Sequence, residues 1–579
     1  METSPVSPHP SVYFRYQVYP AAPVPTKDVI EPVVVVGAGP VGLTTALLLA
    51  RAGVRCVVLA AEQQVCEGSR AIAFTRRSLE ILQQTGGHAI FEKIGLPWGC
   101  GNTYYRGERV FRMEASQSPQ DRFAPLTNLQ QQFVEEALIT LANQQPLVEI
   151  RFGHRATRVT TSNIEQACAT LEIASPVGAY AQRAQFIVAC DGARSPIRSQ
   201  LGLQLEGSAY EGRFVIADIR IQLPLPTERL AFFDPDWNPG NTVLMHRQPL
   251  NMWRIDYQLP PSETPEQALT PESLTRRINA QLAMIGYGGV PWQLDWRSVY
   301  SARALTLPNY RHGRVLFAGD SAHLLPIFGV RGANTGFQDA QNLAWKLALV
   351  VQGQSPLSLL DSYSHERVAA AREIVQEAGK STRFMTPPTR GFRLLRDAVL
   401  SLSLTQAFVR PLYHWRTSRA HAYGDSPLNA AYEAYEADDD RFMTRSVGIS
   451  VGEPLVNVAL TEGGFLLDHM ALGTAAGFVL LAIGNTAQML DEGVLELLHQ
   501  SNVSGAGVRL LALNQPEVVA SYAGLHGQAV YLVRPDHHIC ARWRTLGSPM
   551  GAIRLRAALA RAQGIRPRVG AWTRPSVSS

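Results

Sequence analysis

VVVVGAGPVGLTTALLLA, Val33 to Ala50, is the stretch whose reading decides the architecture. Four consecutive valines suit a parallel strand covered on both faces, and the alanine- and leucine-rich run after the glycines suits a packed helix. Gly37, Gly39 and Gly42 fall at the turn between the two. In a strand–turn–helix of this kind the first glycine permits a tight turn, the second lets backbone approach a pyrophosphate, and the third lets the helix lie close to the strand. The helix N-terminus then presents unpaired N–H groups to the phosphates. The pattern reads as a dinucleotide site, with a plain strand-to-helix connection as the alternative. The next strand, VRCVVLA, ends in Ala60 and Ala61, where an acidic residue about 20 residues on would hold a ribose. Glu62 is the nearest carboxylate and reaches the ribose if the strand end bends; otherwise it is a solvated loop glutamate.

Two further segments follow in fixed order, FIVACDGARSPIR (Phe186 to Arg198) and RVLFAGDSAHLLPIFGVRGANTGFQDAQNLAWKL (Arg314 to Leu347). Taken singly, Asp191 and Asp320 read as turn residues capping helices; that reading does not account for three patterns in order. Together the three resemble the fingerprints of the single-component FAD-dependent aromatic hydroxylases, a likeness that covers Val33 to about Ile374, and the remainder of the chain resembles their phenol hydroxylase and 3-(3-hydroxyphenyl)propionate hydroxylase branch. The resemblance implies an α/β fold like that of p-hydroxybenzoate hydroxylase: a Rossmann-type FAD-binding domain with an inserted β-sheet substrate domain, and then a C-terminal thioredoxin-like domain. It implies that Asp320, after Gly319, binds the flavin ribityl hydroxyls, and that Asp191 lies near the pyrophosphate. GSRAIAFTRRSLEIL (Gly68 to Leu82) resembles the segment in which Arg70 would contact the flavin, and NLQQQFVEEAL (Asn128 to Leu138) the helix bearing a flavin-contacting glutamine, here Gln131. In the loop after Asp320, Pro326 and Gly329 would fix the path. Gly332 and Asn334 would bring backbone and amide donors to the flavin ring, and Arg331 would add positive potential. Ile327 replaces the family's second proline, and its carbonyl is expected to contact substrate.

The chemistry so implied uses NADPH or NADH to reduce FAD, then O2 to form a flavin 4a-hydroperoxide that hydroxylates a phenolic ring; the cofactor carries the difficult step and the protein positions it. The alternatives are a tailoring monooxygenase acting on a polycyclic or antibiotic-type metabolite and an FAD-dependent halogenase. The halogenase needs a Trp-x-Trp-x-Ile-Pro signature that WQLDW, Trp292 to Trp296, does not supply. For the substrate, the strand MWRIDYQL (Met252 to Leu259) points Arg254, Asp256 and Gln258 to one face and Trp253, Ile255 and Tyr257 to the other. An Arg254–Asp256 pair would orient or deprotonate a phenol; the bland alternative is a cross-strand ion pair. His246 and Gln248 read as surface or loop residues, with a place in the pocket as the weaker alternative.

The chain has 579 residues, 46% apolar and 17% charged, with a formal charge of +5, which is a globular composition with no basic run pointing to nucleic acid. Six irregularly spaced cysteines give no Cys-x-x-Cys pair and no zinc pattern, so reduced thiols in a cytoplasmic protein are expected, with no metal. No uncharged apolar stretch reaches the roughly 18 residues of a membrane span. The expected organisation is an N-terminal extension over 1–31 and the FAD-binding domain over 32–385, with its substrate sheet at about 205–300. A helical linker at 386–445, a thioredoxin-like domain at 446–565 and a tail at 566–579 follow. The thioredoxin-like part keeps only Cys540 and is expected to serve structure or homodimer contact. The adjacent His537 and His538 read as strand residues on opposite faces, not as metal ligands.

Overall fold

The computed structural model describes residues 6–118, 120–161, 168–326, 328–413, 418–430, 448–471, 477–485, 489–503, 507–523 and 526–565. The valine run is the strand Ile30–Val36, and Val33, Val34 and Val35 are fully buried. It lies between the parallel strands Gly178–Ala189 and Cys56–Ala60, and Val315–Phe317 and Val148–Phe152 extend the parallel order on the two sides. The helices Pro40–Arg51, Gly332–Val351 and Leu359–Met385 supply Leu48, Leu49, Leu343, Leu347, Leu360 and Tyr363 to the core of this sheet. A strand buried on both faces has no polar side to display, which is why it reads as an unbroken apolar run.

A second sheet of eight strands stands against the first domain. Its order is His323–Leu324, Gln293–Thr306, Glu206–Arg220, Met252–Gln258, Thr242–Gln248, Arg229–Phe233, Cys100–Tyr105 and Glu108–Glu114. It therefore draws strands from well before residue 205 and one from the loop after Asp320. One face carries Val215, Ala217, Trp253, Ile255, Tyr257, Val243 and Met245, which pack on Leu274, Ile278 and Leu282 of the helix Pro271–Met284. That helix starts where the Thr270 side chain accepts from the Ser273 N–H, with proline in its first turn. The other face of the sheet looks back toward the nucleotide-type domain.

Residues 6–29 are an extended arm. Ser11 Oγ and the Val12 N–H both donate to Asp295, at 2.6 and 2.7 Å. Phe14 and Tyr16 are buried, and the Tyr16 hydroxyl, in contact with Cys66 O, the Gly68 N–H and Gln132 Nε2, gathers the 66–68 segment.

The C-terminal part is a four-stranded sheet ordered Val508–Leu513, Phe478–Ile483, Ala529–Val533, Ile539–Trp543, with the first pair parallel and the rest antiparallel. The helix Glu492–Val503 connects the parallel strands, and Gly551–Ala562 follows the last strand. Phe478, Leu480, Val530 and Trp543 share one apolar cluster with Trp345 and Leu359 of the first domain. His537 and His538 are not on a strand: they lie in the turn between Ala529–Val533 and Ile539–Trp543, His537 with φ +62°, and both are buried. Between the two parts lie the helix Arg390–Leu402 and the 3-10 turn Ala407–Tyr413; 431–447 and 566–579 fall outside the described residues. Among the described residues no helix is long and apolar enough to cross a membrane.

Candidate active site

At the first turn, Gly37 has φ +111°, and a Cβ on it would lie 2.2 Å from the Cys190 carbonyl oxygen; one on Gly42 would lie 2.0 Å from the Gly37 carbonyl oxygen. Both positions exclude a side chain because protein already fills the space. Gly39 differs: it caps the helix Pro40–Arg51, and a Cβ there would meet nothing within 4 Å. The first N–H groups of a helix have no intrahelical acceptor, so they open onto that space.

The other two segments border the same cleft. A Cβ on Gly319, whose φ is +64°, would sit 3.1 Å from the Val41 side chain, so the Gly319–Asp320 turn packs directly on the first helix. Arg198 Nη1 donates to Ser321 O at 3.0 Å, tying the second segment to the third. Asp191 accepts from the Ile197 N–H with Oδ2 at 3.2 Å, while its Oδ1 is buried with no hydrogen-bond partner among the described residues. Burial pushes its carboxyl up, against the Ser195 hydrogen bond. Asp320 is open to solvent at the cleft yet surrounded by protein; that enclosure raises its carboxyl, opposed by His323, Arg70 and Arg198. Open space also lies before Gly192 and Gly332. A cradle of backbone with room for a ligand, an unpaired buried carboxylate oxygen and cations from two segments fit a dinucleotide lying along the cleft.

Arg70 is exposed, on a segment held from behind: Gln131 Oε1 accepts from the Ala71 N–H at 2.9 Å, and Gln131 Nε2 donates to Glu135 at 2.7 Å. Gln131 thus braces the Arg70 segment. Glu62 is at the strand end, its side chain 75% exposed and paired with Arg155 at 2.7 Å. In the loop after Asp320, Pro326 is buried and Ile327 lies outside the described residues. Val330 has φ +53°, a strained conformation for a β-branched residue. The expectation that Asn334 donates its amide to the flavin is corrected. Its Nδ2 donates to Ala73 O and Val330 O at 3.0 and 2.6 Å, and its Oδ1 accepts from the Thr75 N–H and Ser78 Oγ at 2.9 and 2.6 Å. Both amide hydrogens are committed to protein, which leaves the first backbone N–H groups of the helix, beside the open space at Gly332, as the donors without an intrahelical acceptor. Arg331 is buried and donates to Ile374 O at 3.3 Å, so it ties the loop to the helix Leu359–Met385.

The sheet face opposite is polar at its centre. Arg254 does not pair with Asp256. It pairs in two-pronged fashion with Asp218, directly across on Glu206–Arg220, at 2.8 Å twice, and also donates to the carbonyl oxygens of Ser69 and Arg70. It staples the sheet to the Arg70 segment. Asp256 is left with Oδ1 buried and unpartnered among the described residues, and burial pushes its carboxyl up to about 7, against Arg254 and Arg229 and reinforced by Asp218. His246 and Gln248 are buried strand residues, not surface ones. Burial and the cations Arg229 and Arg254 lower His246 to about 3, so the ring is neutral. Neither end of the Gln248 amide has a partner among the described residues. Beyond Asp256 the face turns apolar, with Phe214, Leu244, Ala231 and Phe233 clustered with Phe328, Phe384, Val399 and Tyr413. Asp218, Arg229 and Asp339, which accepts from the Gly319 N–H, were missed in the sequence. For Asp339 a signal existed: a lone carboxylate in the run FQDAQNLAWKL, whose other charged residue is Lys346.

The family model described as FAD binding domain matches residues 31–378. The chain is 31% identical to the 3-(3-hydroxy-phenyl)propionate/3-hydroxycinnamic acid hydroxylase of Mycolicibacterium smegmatis, over 79% of this chain and 78% of that protein. It is also 31% identical to the para-nitrophenol 4-monooxygenase of a Pseudomonas strain, over 59% of this chain and 83% of that protein. Among solved structures, the flavin-dependent monooxygenase PieE, in complex with FAD and substrate, superposes with TM-score 0.78 at 23% identity, covering 94% of this chain and all of that one. Aklavinone-11 hydroxylase with FAD and aklavinone superposes with TM-score 0.73 at 25% identity, covering 93% and 100%.

Proposed function

Since the chain belongs to the FAD-dependent aromatic hydroxylases, we propose that it takes electrons from NADH or NADPH and inserts one atom of O2 into a phenolic ring held between the cleft and the Asp256 face. The observation that carries the placement is the buried Asp256 carboxyl on the sheet face opposite the cleft, whose Oδ1 has no hydrogen-bond partner among the described residues. Bound FAD supplies the reduction by nicotinamide and the activation of O2.

The chain's own residues do the rest. The space before Gly39, with the helix start behind it, receives the pyrophosphate, with the Asp191–Arg198 segment beside it. Asp320 takes the ribityl hydroxyls and Arg70 the flavin edge; Glu62 is placed for the adenosine ribose. The N-terminus of Gly332–Val351 would favour negative charge on bound flavin, and Arg331, tied to Ile374 O, would add to that potential. Asp256 accepts the proton of the substrate hydroxyl, leaving a phenolate whose ring is richer in electrons; a carboxyl near pH 7 is suited to that exchange. Arg254, locked by Asp218, keeps the sheet seated on the Arg70 segment, and buried apolar side chains exclude water.

The C-terminal part is a thioredoxin-like module, a reading supported by its strand order and helix placement. It serves structure, since Cys540 is buried, hydrogen-bonded to Leu532 O and pushed up to about 12 by burial. A second substrate reading, a polycyclic phenol, is favoured by the apolar extension from Leu244 to Phe233 and Phe384.

The test is anaerobic stopped-flow reduction of the holoenzyme by NADH and NADPH with hydroxyphenylpropionates, nitrophenols and fused-ring phenols, followed by product mass after O2. Faster reduction together with a gain of one oxygen supports the reading; peroxide alone with every phenol refutes the substrate class.

A further inference from the structure

A buried chain of charges runs from the Gly319–Asp320 turn into the C-terminal module. Asp339, on Gly332–Val351, accepts from the Gly319 N–H at 3.0 Å; His323 Nε2 lies 2.7 Å from the same oxygen, and Arg367 Nε donates to the other at 2.7 Å. Arg367 also donates to the Tyr423 hydroxyl at 3.0 Å. The Tyr423 ring lies on His538, with centroids 4.4 Å apart. His538 belongs to the turn that also presents Arg534 and Asp536, which pair with each other. Arg534 makes a two-pronged pair at 2.6 and 2.9 Å with Glu366, the neighbour of Arg367, and Lys346 reaches Glu366 at 2.7 Å. None of these nine side chains is more than 5% exposed.

Charges buried so deeply hold their geometry only while every partner is present. Asp339 fixes the backbone N–H one residue before Asp320; Arg367 fixes Asp339; and Arg367 is held by Tyr423 and by the Glu366–Arg534 pair beside it.

We propose that Asp339 is the positioning residue of the Gly319–Asp320 turn, and that the C-terminal hairpin, through Tyr423, His538 and Arg534, sets the affinity of the chain for FAD by holding Arg367 against it. The proposal rests on the cofactor assignment above and extends it to residues outside the cleft.

The test titrates FAD into full-length apoprotein, reading the quenching of flavin fluorescence, for wild type, Asp339→Asn and Tyr423→Phe, with the flavin midpoint potential and the apoprotein melting temperature measured alongside. Tyr423→Phe removes one hydrogen bond to a charged group, and the FAD Kd is expected to rise about tenfold, with a displaced potential; Asp339→Asn is expected to exceed that. If Asp339→Asn does not fold, Tyr423→Phe still decides. A Tyr423→Phe protein that melts lower but binds FAD with the wild-type Kd and potential overturns the proposal, because the network then only joins the two parts. Wild-type apoprotein that takes up no FAD overturns the cofactor assignment, and the proposal with it.

Discussion

Asp256→Asn separates a titrating buried carboxyl from an inert one. Burial raises Asp256 from 3.8 to about 7. An acid that is harder to ionise in the folded protein makes stability fall as pH rises, because between the two values the unfolded chain has released its proton and the folded chain has not. The penalty begins near pH 4, grows to pH 7 and is constant above. At about 1.4 kcal/mol per tenfold change in proton affinity it reaches about 4 kcal/mol. The asparagine variant carries no such penalty, so its stability advantage over wild type is expected to grow by about 3 kcal/mol between pH 5 and pH 8. Urea unfolding of both proteins at the two pH values measures this. In the same variant, turnover with an accepted phenol should fall and lose the rise through neutral pH that a carboxylate proton acceptor imposes. A stability difference independent of pH, together with an unchanged pH–rate profile, would refute both the buried-carboxyl argument and the proton-acceptor role.

Gly39→Ala is expected to fold with stability within about 0.5 kcal/mol of wild type and to purify depleted of flavin, since the added methyl meets only the ligand's space; flavin absorbance per protein measures it. Gly37→Ala should instead destabilise by about 2 kcal/mol or more, because both its φ and the Cys190 carbonyl oppose a side chain; thermal unfolding distinguishes the two. Asp218→Ala leaves Arg254 buried and uncompensated, a loss of about 3–5 kcal/mol in urea unfolding. Cys540→Ala should leave NAD(P)H-dependent hydroxylation unchanged while lowering stability by about 1 kcal/mol; loss of turnover at wild-type stability would count against a purely structural module.

Local chemistry made the nucleotide half legible. The valine run, the glycine spacing and the alternation in MWRIDYQL each describe interactions within a few residues, and strand, turn and inward face follow from them. The charged partners did not follow. Arg254 finds Asp218, 36 residues away, because sheet register sets them opposite, and register depends on pairing that no local pattern records. Asp256, two residues along, was the only carboxylate in view from sequence. His246 and Gln248 read as surface residues before pocket residues because polar side chains in a strand usually face water; here both are buried, and the Trp98 ring lies against His246. Asn334 looked like a ligand donor because nothing in the chain announces that Ala73 and Val330 will take both its hydrogens.

The N-terminal arm bears on how the molecule is assembled. Ser11 and Asp295 are 284 residues apart, and Tyr16 waits for Gln132, 116 residues on. Contacts that distant close late, after shorter loops have formed. During synthesis the arm leaves the ribosome long before Asp295 exists, whereas Phe133, against which Phe14 packs, and Gln132, which meets the Tyr16 hydroxyl, emerge much earlier. The tip of the arm at Ser11 and Val12 therefore settles only once the strand Gln293–Thr306 is in place, later than the Gly68 segment that Tyr16 gathers, so the arm joins the molecule in two stages.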